Sequence, residues 1–339
     1  MNGKTVTFHS VRRSVIRPSL AALCALGLAF AASTVLAQAW PSRALKIIVP
    51  FPPGGGTDLV ARSVAARLGD ALGQPVVAEN RPGAGGIIGT DAVAKAAPDG
   101  YTIGIATSST HPASIALQKG VPYDPLKSFA PITMVASTSY VLVASPALPA
   151  ANLAELIAYA KANPGKLNFA NVGTSTLGYL LSLQLKALTG TQMLDVSYKG
   201  SSQIYPDLMS NQVSVFLDNP GASTPLVNSG RLKAYGVTAP TPSMPGVALF
   251  SDAGASVGLG GFDSSFWYGL VAPAGTPRAI VERIQTETKK YVQSLEGRKE
   301  FAARSLEPVG DTPEEFAATI QKDVERFTAL VKQLNIQPQ

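Results

Sequence analysis

From residue 46 to the end of the chain, short apolar runs alternate with stretches whose apolar residues return every three or four positions. Runs of the first kind make strands and stretches of the second make amphipathic helices, so their alternation predicts an α/β fold with mainly parallel sheets. Residues 46–51 are the first expected strand. Val60, Val64, Leu68 and Leu72 then fall on one stripe of a helix over 57–72, which Gly73 should end. Strands are expected at 75–79 and 101–106, with a short helix over 90–97 between them. Residues 132–144 are mostly apolar and β-branched with no helical stripe, which suits a strand that carries the chain into a second domain. There, strands at 167–170, 195–198, 213–217 and 232–237 alternate with helices at 152–163, at 177–188 and one ending at Ser229. Residues 266–272 are strand-like again and should bring the chain back. Thr276-Pro277 and Thr312-Pro313 each set a cap before a proline at the first helical position, so two helices should close the chain, the last near Leu334. The expected domains are 40–140 together with 264–339, and 141–263.

The first 37 residues follow a different pattern. Lys4, Arg12, Arg13 and Arg17 precede an apolar stretch, 20–36, that ends in Val35-Leu36-Ala37. A basic head, an apolar middle and a small-residue exit predict a cleavable secretory signal peptide over 1–37. The stretch is near the lower limit for a membrane span, so an uncleaved anchor is the alternative. Cys24 lies mid-stretch, followed by more apolar residues, and does not suit a lipid-anchored cysteine. Removal of this segment takes away those four basic residues and no acidic ones, so the formal charge falls from +6 to +2. The basic balance therefore belongs largely to the export segment and gives no argument for nucleic acid. The single cysteine leaves too, and with it any disulfide, thiolate metal site or cysteine nucleophile; His111 becomes the mature chain's only histidine.

Several strands lead into helices through polar, glycine-rich loops: 54–58, 173–176 and 201–202, with 108–111 and 218–220 at comparable strand ends. Such a loop turns several backbone N–H groups toward one spot, where the positive end of the helix dipole also lies, and so makes an anion site. One such loop is equally well explained by turn and cap chemistry. Several at successive strand ends predict a cleft beyond the carboxyl ends of the strands. Competing motifs are incomplete. Gly54-Gly55-Gly56-Thr57-Asp58 lacks the Gly-Lys-Ser/Thr ending of a phosphate loop, and Gly83-Ala84-Gly85-Gly86-Ile87-Ile88 has isoleucine where a dinucleotide fingerprint has its third glycine. Gly173-Thr174-Ser175-Thr176-Leu177 has leucine in place of the last glycine of a nucleophile elbow. A serine hydrolase using Ser175 or Ser201 would need His111 as base, and that residue is better read as a pocket-wall or structural hydrogen-bonding histidine. No His, Cys, Asp and Glu cluster has metal-ligand spacing, and no cofactor is expected. Trp267 and Tyr268 suit a cleft wall or a core.

Trp40-Pro41-Ser42-Arg43 leads into Ile47-Ile48-Val49-Pro50-Phe51-Pro52-Pro53-Gly54-Gly55-Gly56-Thr57-Asp58. Glu79-Asn80-Arg81-Pro82-Gly83, Ala97-Pro98-Asp99-Gly100-Tyr101-Thr102, Tyr123-Asp124-Pro125 and Tyr198-Lys199-Gly200-Ser201 follow, then Ala272-Pro273-Ala274-Gly275-Thr276-Pro277 and Glu307-Pro308-Val309-Gly310. As an ordered set, these motifs resemble the substrate-binding proteins of tripartite tricarboxylate transporters, the TctC or Bug family of periplasmic receptors. The resemblance implies a two-domain type II periplasmic binding protein, a Venus flytrap with its ligand in the interdomain cleft. It implies a non-enzymatic receptor that captures a small organic carboxylate and delivers it to a membrane permease. The acid would be held by loop backbone, hydroxyl groups and water rather than by an arginine clamp.

Carried over by position, Gly55, Gly56, Thr57, Asp58, Thr107, Ser108, Ser109, Thr110 and His111 line the cleft from the first domain. Gly173, Thr174, Ser175, Thr176, Ser201, Asp218 and Asn219 line it from the second. Many members of the family carry a histidine where this chain has Tyr179. The phenol favours a larger mono- or dicarboxylate, aromatic acids included. A monomer is expected, and a receptor that loads a sensor kinase instead of a permease is the alternative partner. Intact-mass measurement of the exported protein should give a chain beginning at Gln38, or at Trp40, without lipid; a mass that retains the first 36 residues contradicts the signal-peptide reading.

Overall fold

Leu45–Val49 (β1) reads Leu-Lys-Ile-Ile-Val and is buried except at Lys46, the composition of a strand covered on both faces. It joins Val76–Asn80 (β2), Thr102–Thr107 (β3), Phe129–Thr138 (β4), Phe266–Pro273 (β10) and Glu307–Pro308 (β11) in a six-stranded sheet. A second sheet of five strands takes Val141–Ala144 (β5), Asn168–Asn171 (β6), Leu194–Ser197 (β7), Val215–Asp218 (β8) and Lys233–Val237 (β9). The strand orders are β11-β4-β10-β3-β1-β2 and β7-β6-β8-β5-β9. The computed structural model describes residues 1–5, 7, 40–262 and 264–339. The expected signal peptide over 1–37, with Cys24, lies outside the described residues except at 1–5 and 7, which are exposed and form no helix or strand. Among the described residues no helix is long and apolar enough to cross a membrane.

The sheets are mixed, which corrects the expectation of mainly parallel pairing. β1 runs parallel to β2 and β3, and β6 parallel to β7 and β8. β10 is antiparallel to β3 and β4, and β5 is antiparallel to β8 and β9. The reason is topological: the strands that carry the chain between the sheets run against the βαβ strands they meet. The apolar stretch read as one strand over 132–144 is two, β4 in the first sheet and β5 in the second, broken at Ser139 and Tyr140.

Helices pack where their stripes predict. Gly56–Leu72 (α1) buries Val60, Val64 and Leu68, and Gly73 ends it in the left-handed region at φ 66°. Ile87–Ala94 (α2) follows, displaced three residues toward the N-terminus of its expected position. In the second lobe, Leu153–Ala162 (α3) is capped by the Asn152 side chain, and Leu177–Thr189 (α4) buries Leu177, Leu180, Leu181 and Leu185. Pro220–Asn228 (α5) starts at a proline. Two long helices, Arg278–Gln293 (α6) and Pro313–Gln333 (α7), lie near the end. Thr312 and Glu315 form the expected capping box. Thr276 does not cap α6: its hydroxyl donates back to the Pro273 carbonyl at 2.8 Å, and Pro277 is the cap residue.

Each sheet has its own apolar core. One gathers Ile48, Val93, Phe129, Trp267, Phe316 and Ile320; the other gathers Val141, Val143, Ile204, Leu208, Phe216 and Val237. Alternation along β10 sends Trp267 into the first core, edge-on to Phe316 at 5.1 Å between ring centroids, while Phe266 and Tyr268 face the opposite way. Gly269 lies under the Phe316 ring, and a β-carbon there would overlap it. Gly269→Ala should therefore destabilise the protein by about 1–3 kcal/mol through overpacking. Phe316→Leu should relieve part of that cost in a double-mutant cycle measured by denaturant unfolding. Strict additivity would contradict the packing.

Candidate ligand-binding site

A cavity of about 70 Å³ lies between the two sheets. Its first-lobe wall comes from the loop that follows β1, where Phe51, Pro52, Gly55, Gly56 and Thr57 line it. This loop is glycine-rich because the chain must turn sharply into α1; Gly54 takes φ 86°, in the left-handed region. The first amide groups of a helix have no intrahelical acceptor, so Gly56 and Thr57 present unpaired donors and the positive end of α1 at the cavity. Thr176 and Gly178 bring the start of α4, Gly200 and Ser201 the start of the 3-10 turn Ser201–Gln203, and Asn219 with Ala222 the start of α5. Four such starts thus meet at one cavity. Among the described residues no Lys, Arg or His lines it.

Asp58 does not line the cavity. Its carboxylate accepts from the Gly54 N–H at 3.0 Å, from Arg62 Nε at 2.9 Å and from Asn80 Nδ2 at 2.9 Å. Burial raises its pKa, but the bonds from Arg62, Gly54 and Asn80 outweigh that and lower it below the usual value. Asn80 also donates to the Phe51 carbonyl at 3.0 Å, so the pair clamps both ends of the loop rather than a ligand.

Thr107, Ser108, Thr110 and His111 are also absent from the lining. The Thr110 N–H donates to Thr107 Oγ1 at 3.2 Å, and the Thr107 N–H donates to Thr110 Oγ1 at 3.0 Å. Ser108 Oγ accepts from the Trp267 N–H at 2.9 Å. Residues Ser109–Ala113 make one wide π-type turn, which folds these side chains back onto the protein. His111 is fully buried, 4.8 Å from the Phe129 ring centre, and burial pulls its pKa down to about 3. It is a neutral core residue, neither pocket wall nor base. Of the run, Ser109 reaches the cavity, and its Oγ accepts from the Leu177 N–H across the lobes at 3.1 Å.

Gly173, Thr174 and Ser175 line a second, outer groove of about 750 Å³, which shares Phe51 and Val172 with the cavity. There the lobes touch backbone to backbone. Ser175 Oγ donates to the Ala84 carbonyl at 3.0 Å, and a β-carbon on Gly173 would meet Gly85 Cα at 3.2 Å. Tyr179 reaches neither space. Gly178 occupies the cavity side of α4's first turn, and the next residue is rotated about 100° away. The half-buried phenol has a raised pKa from burial and from the negative charge of Asp195. The expectation that Tyr179 selects a larger acid therefore has no contact behind it.

Several lining residues escaped the sequence reading: Phe51, Pro52, Tyr140, Asn171, Phe216 and Phe266. Asn171 and Asp218 end adjacent strands, β6 and β8. Asp218 accepts from the Tyr205 hydroxyl at 2.8 Å, and burial pushes its pKa up to about 7. Burial also raises the phenols of Tyr140, Tyr205 and Tyr268, which the Asp218 charge raises further.

The likeness to known proteins agrees with this geometry. A family model for the tripartite tricarboxylate transporter family receptor, TctC, matches residues 60–336. Protein BugT of Bordetella pertussis is 36% identical over 305 residues, covering 89% of this chain and 92% of its own. Among solved structures, an adipate-bound protein of R. palustris superposes with a TM-score of 0.84 at 31% identity, covering 88% of this chain and all of that one. MatC of Rhodopseudomonas palustris, with bound malate, gives 0.81 at 31% identity over 86% of this chain and all of its own. A match over most of the chain, together with a shared fold at this identity, makes the protein a member of the tripartite tricarboxylate transporter receptor family.

Proposed function

We propose that this protein is an exported periplasmic receptor that captures a small organic carboxylate between its lobes and delivers it to a membrane permease, without chemistry on the ligand. Four helix and 3-10 starts facing one cavity, with no basic side chain lining it among the described residues, carry this reading. Helix starts favour an anion and give a neutral isostere little. The adipate and malate bound by the related proteins support the same class of ligand here.

The lobes, taken as 40–140 with 264–339 and as 141–263, would open and close about the crossings near Ser139 and Ser264. Cross-lobe bonds such as Ser109–Leu177 and Ser175–Ala84 would belong to the closed, loaded form. A hydrolytic role finds no support. Ser175 is engaged with the Ala84 carbonyl, and His111 is buried in the core. The signal peptide over 1–37 supplies the route to the periplasm.

A solute that binds only the folded protein adds about 2.7 kcal/mol at a hundredfold excess over Kd. At roughly 2–4 °C per kcal/mol, the melting temperature should rise by about 5–10 °C. Thermal-shift measurements with adipate, malate, succinate and benzoate should give a rise of that size for at least one acid. The matched amides and neutral sugars should give none. Stabilisation by a sugar or an amide while every acid fails contradicts the assignment.

A further inference from the structure

Two side chains at the floor of the cavity are left over once the loops are accounted for. The first is Asn171, 2% exposed, at the carboxyl end of β6. Its Oδ1 accepts from the Gly173 N–H at 3.0 Å and from Ser197 Oγ at 2.8 Å. A backbone N–H can only donate, so these bonds fix which side of the amide is oxygen. The Nδ2 group is then turned the other way, buried and without a hydrogen-bond partner. An unpaired buried donor costs roughly 1–3 kcal/mol. Asn171 lines the cavity, and this nitrogen is the one polar atom of its side chain that no protein group holds.

The second is Asp218, 5% exposed, at the carboxyl end of β8 beside β6. The Tyr205 hydroxyl, from the helix Ile204–Met209, donates to its carboxyl group at 2.8 Å, and Ser223 of α5 and the Asn219 N–H lie close enough to lower its pKa against the effect of burial. Tyr140, between β4 and β5, and Tyr268, on β10, also face it. These neighbours are neutral, and no Lys, Arg or His lines the cavity among the described residues. A ligand carboxylate brought beside an ionised Asp218 would place two like charges in one desolvated space, which such sites resolve by holding one proton.

Resting on the carboxylate reading above, we propose that Asn171 Nδ2 and a protonated Asp218 are side-chain donors to the bound acid, so that capture draws a proton from solution. Asp218 is the carboxyl group that holds the proton, and the ligand is bound as the anion. The need for that proton makes the receptor tighter in acidic surroundings.

The test uses whichever of adipate, malate, succinate or benzoate binds the mature wild-type protein. With Asp218 held near 7 by its burial, isothermal titration in two buffers of different ionisation heat should count almost no proton taken up at pH 6 and close to one at pH 8. Kd should rise about tenfold between those pH values, the linkage expected of one group that must be protonated to bind. Asp218→Asn, which cannot titrate, should flatten both profiles. Asn171→Asp keeps an acceptor for Gly173 and Ser197 but replaces the free donor, and should weaken binding at pH 8 at least tenfold while the ligand-free melting curve stays cooperative. Binding without proton uptake at pH 8, or unchanged affinity in Asn171→Asp, overturns this inference and leaves the carboxylate assignment intact. Failure of every acid to bind wild type overturns both.

Discussion

Four helix and 3-10 starts converge on one cavity that, among the described residues, no basic side chain lines, and the surrounding structure keeps them there. Partial charges at helix ends are small, about half an elementary charge each, and fade within the first turn. They matter only if several are held close together in a space closed to water, where the dielectric is low. Asp58 and Asn80 therefore spend their hydrogen bonds on the shape of the 51–58 loop. Thr176 caps α4 with its own hydroxyl, and Ser109 takes the Leu177 amide from the other lobe. Glycine at Gly85 and Gly173 lets the two backbones approach closely enough to close the outer rim. Each of these contacts has a structural function, and together they leave the remaining first-turn amides for the proposed ligand.

Helix stripes, caps and glycine loops were legible in the chain because they are local. Val60, Val64 and Leu68 mark their face by spacing, and Gly73 and Gly190 take the left-handed cap position that glycine suits. Strand direction is not local, which is why the mixed pairing of β5 and β10 did not show in their apolar runs. The same limit applies to the site. Loops 55–57, Ser201, Asp218 and Asn219 were found because glycine and polar residues after strands mark strand ends. Thr107, Thr110 and His111 carried the same polar signal, but short hydroxyl side chains also bond to nearby backbone, and here they do. Tyr140 and Phe266 looked like ordinary strand residues, and their cavity-facing role depends on which face of β10 and which crossing point is turned inward.

Asn171 illustrates a signal of another kind. Its residue type at a strand end is unremarkable in the sequence, and its meaning comes from hydrogen-bond accounting: two donors claim the oxygen, and the nitrogen is left with none. Asp218 is legible as a polar strand end, but its raised pKa follows from burial among tyrosines drawn from several elements. The family relationship gives the fold. The chemistry inside the cleft belongs to these side chains.

A crystal structure of the mature protein with the acid that stabilises it most tests directly whether the cavity between the sheets is the ligand site. A carboxylate should lie within about 3 Å of N–H groups from the 55–57 loop and from the start of α4, the ordinary range for a charge-assisted hydrogen bond. A ligand seated in the outer groove beside Thr174 and Lys199, with the inner cavity bypassed, would contradict the assignment.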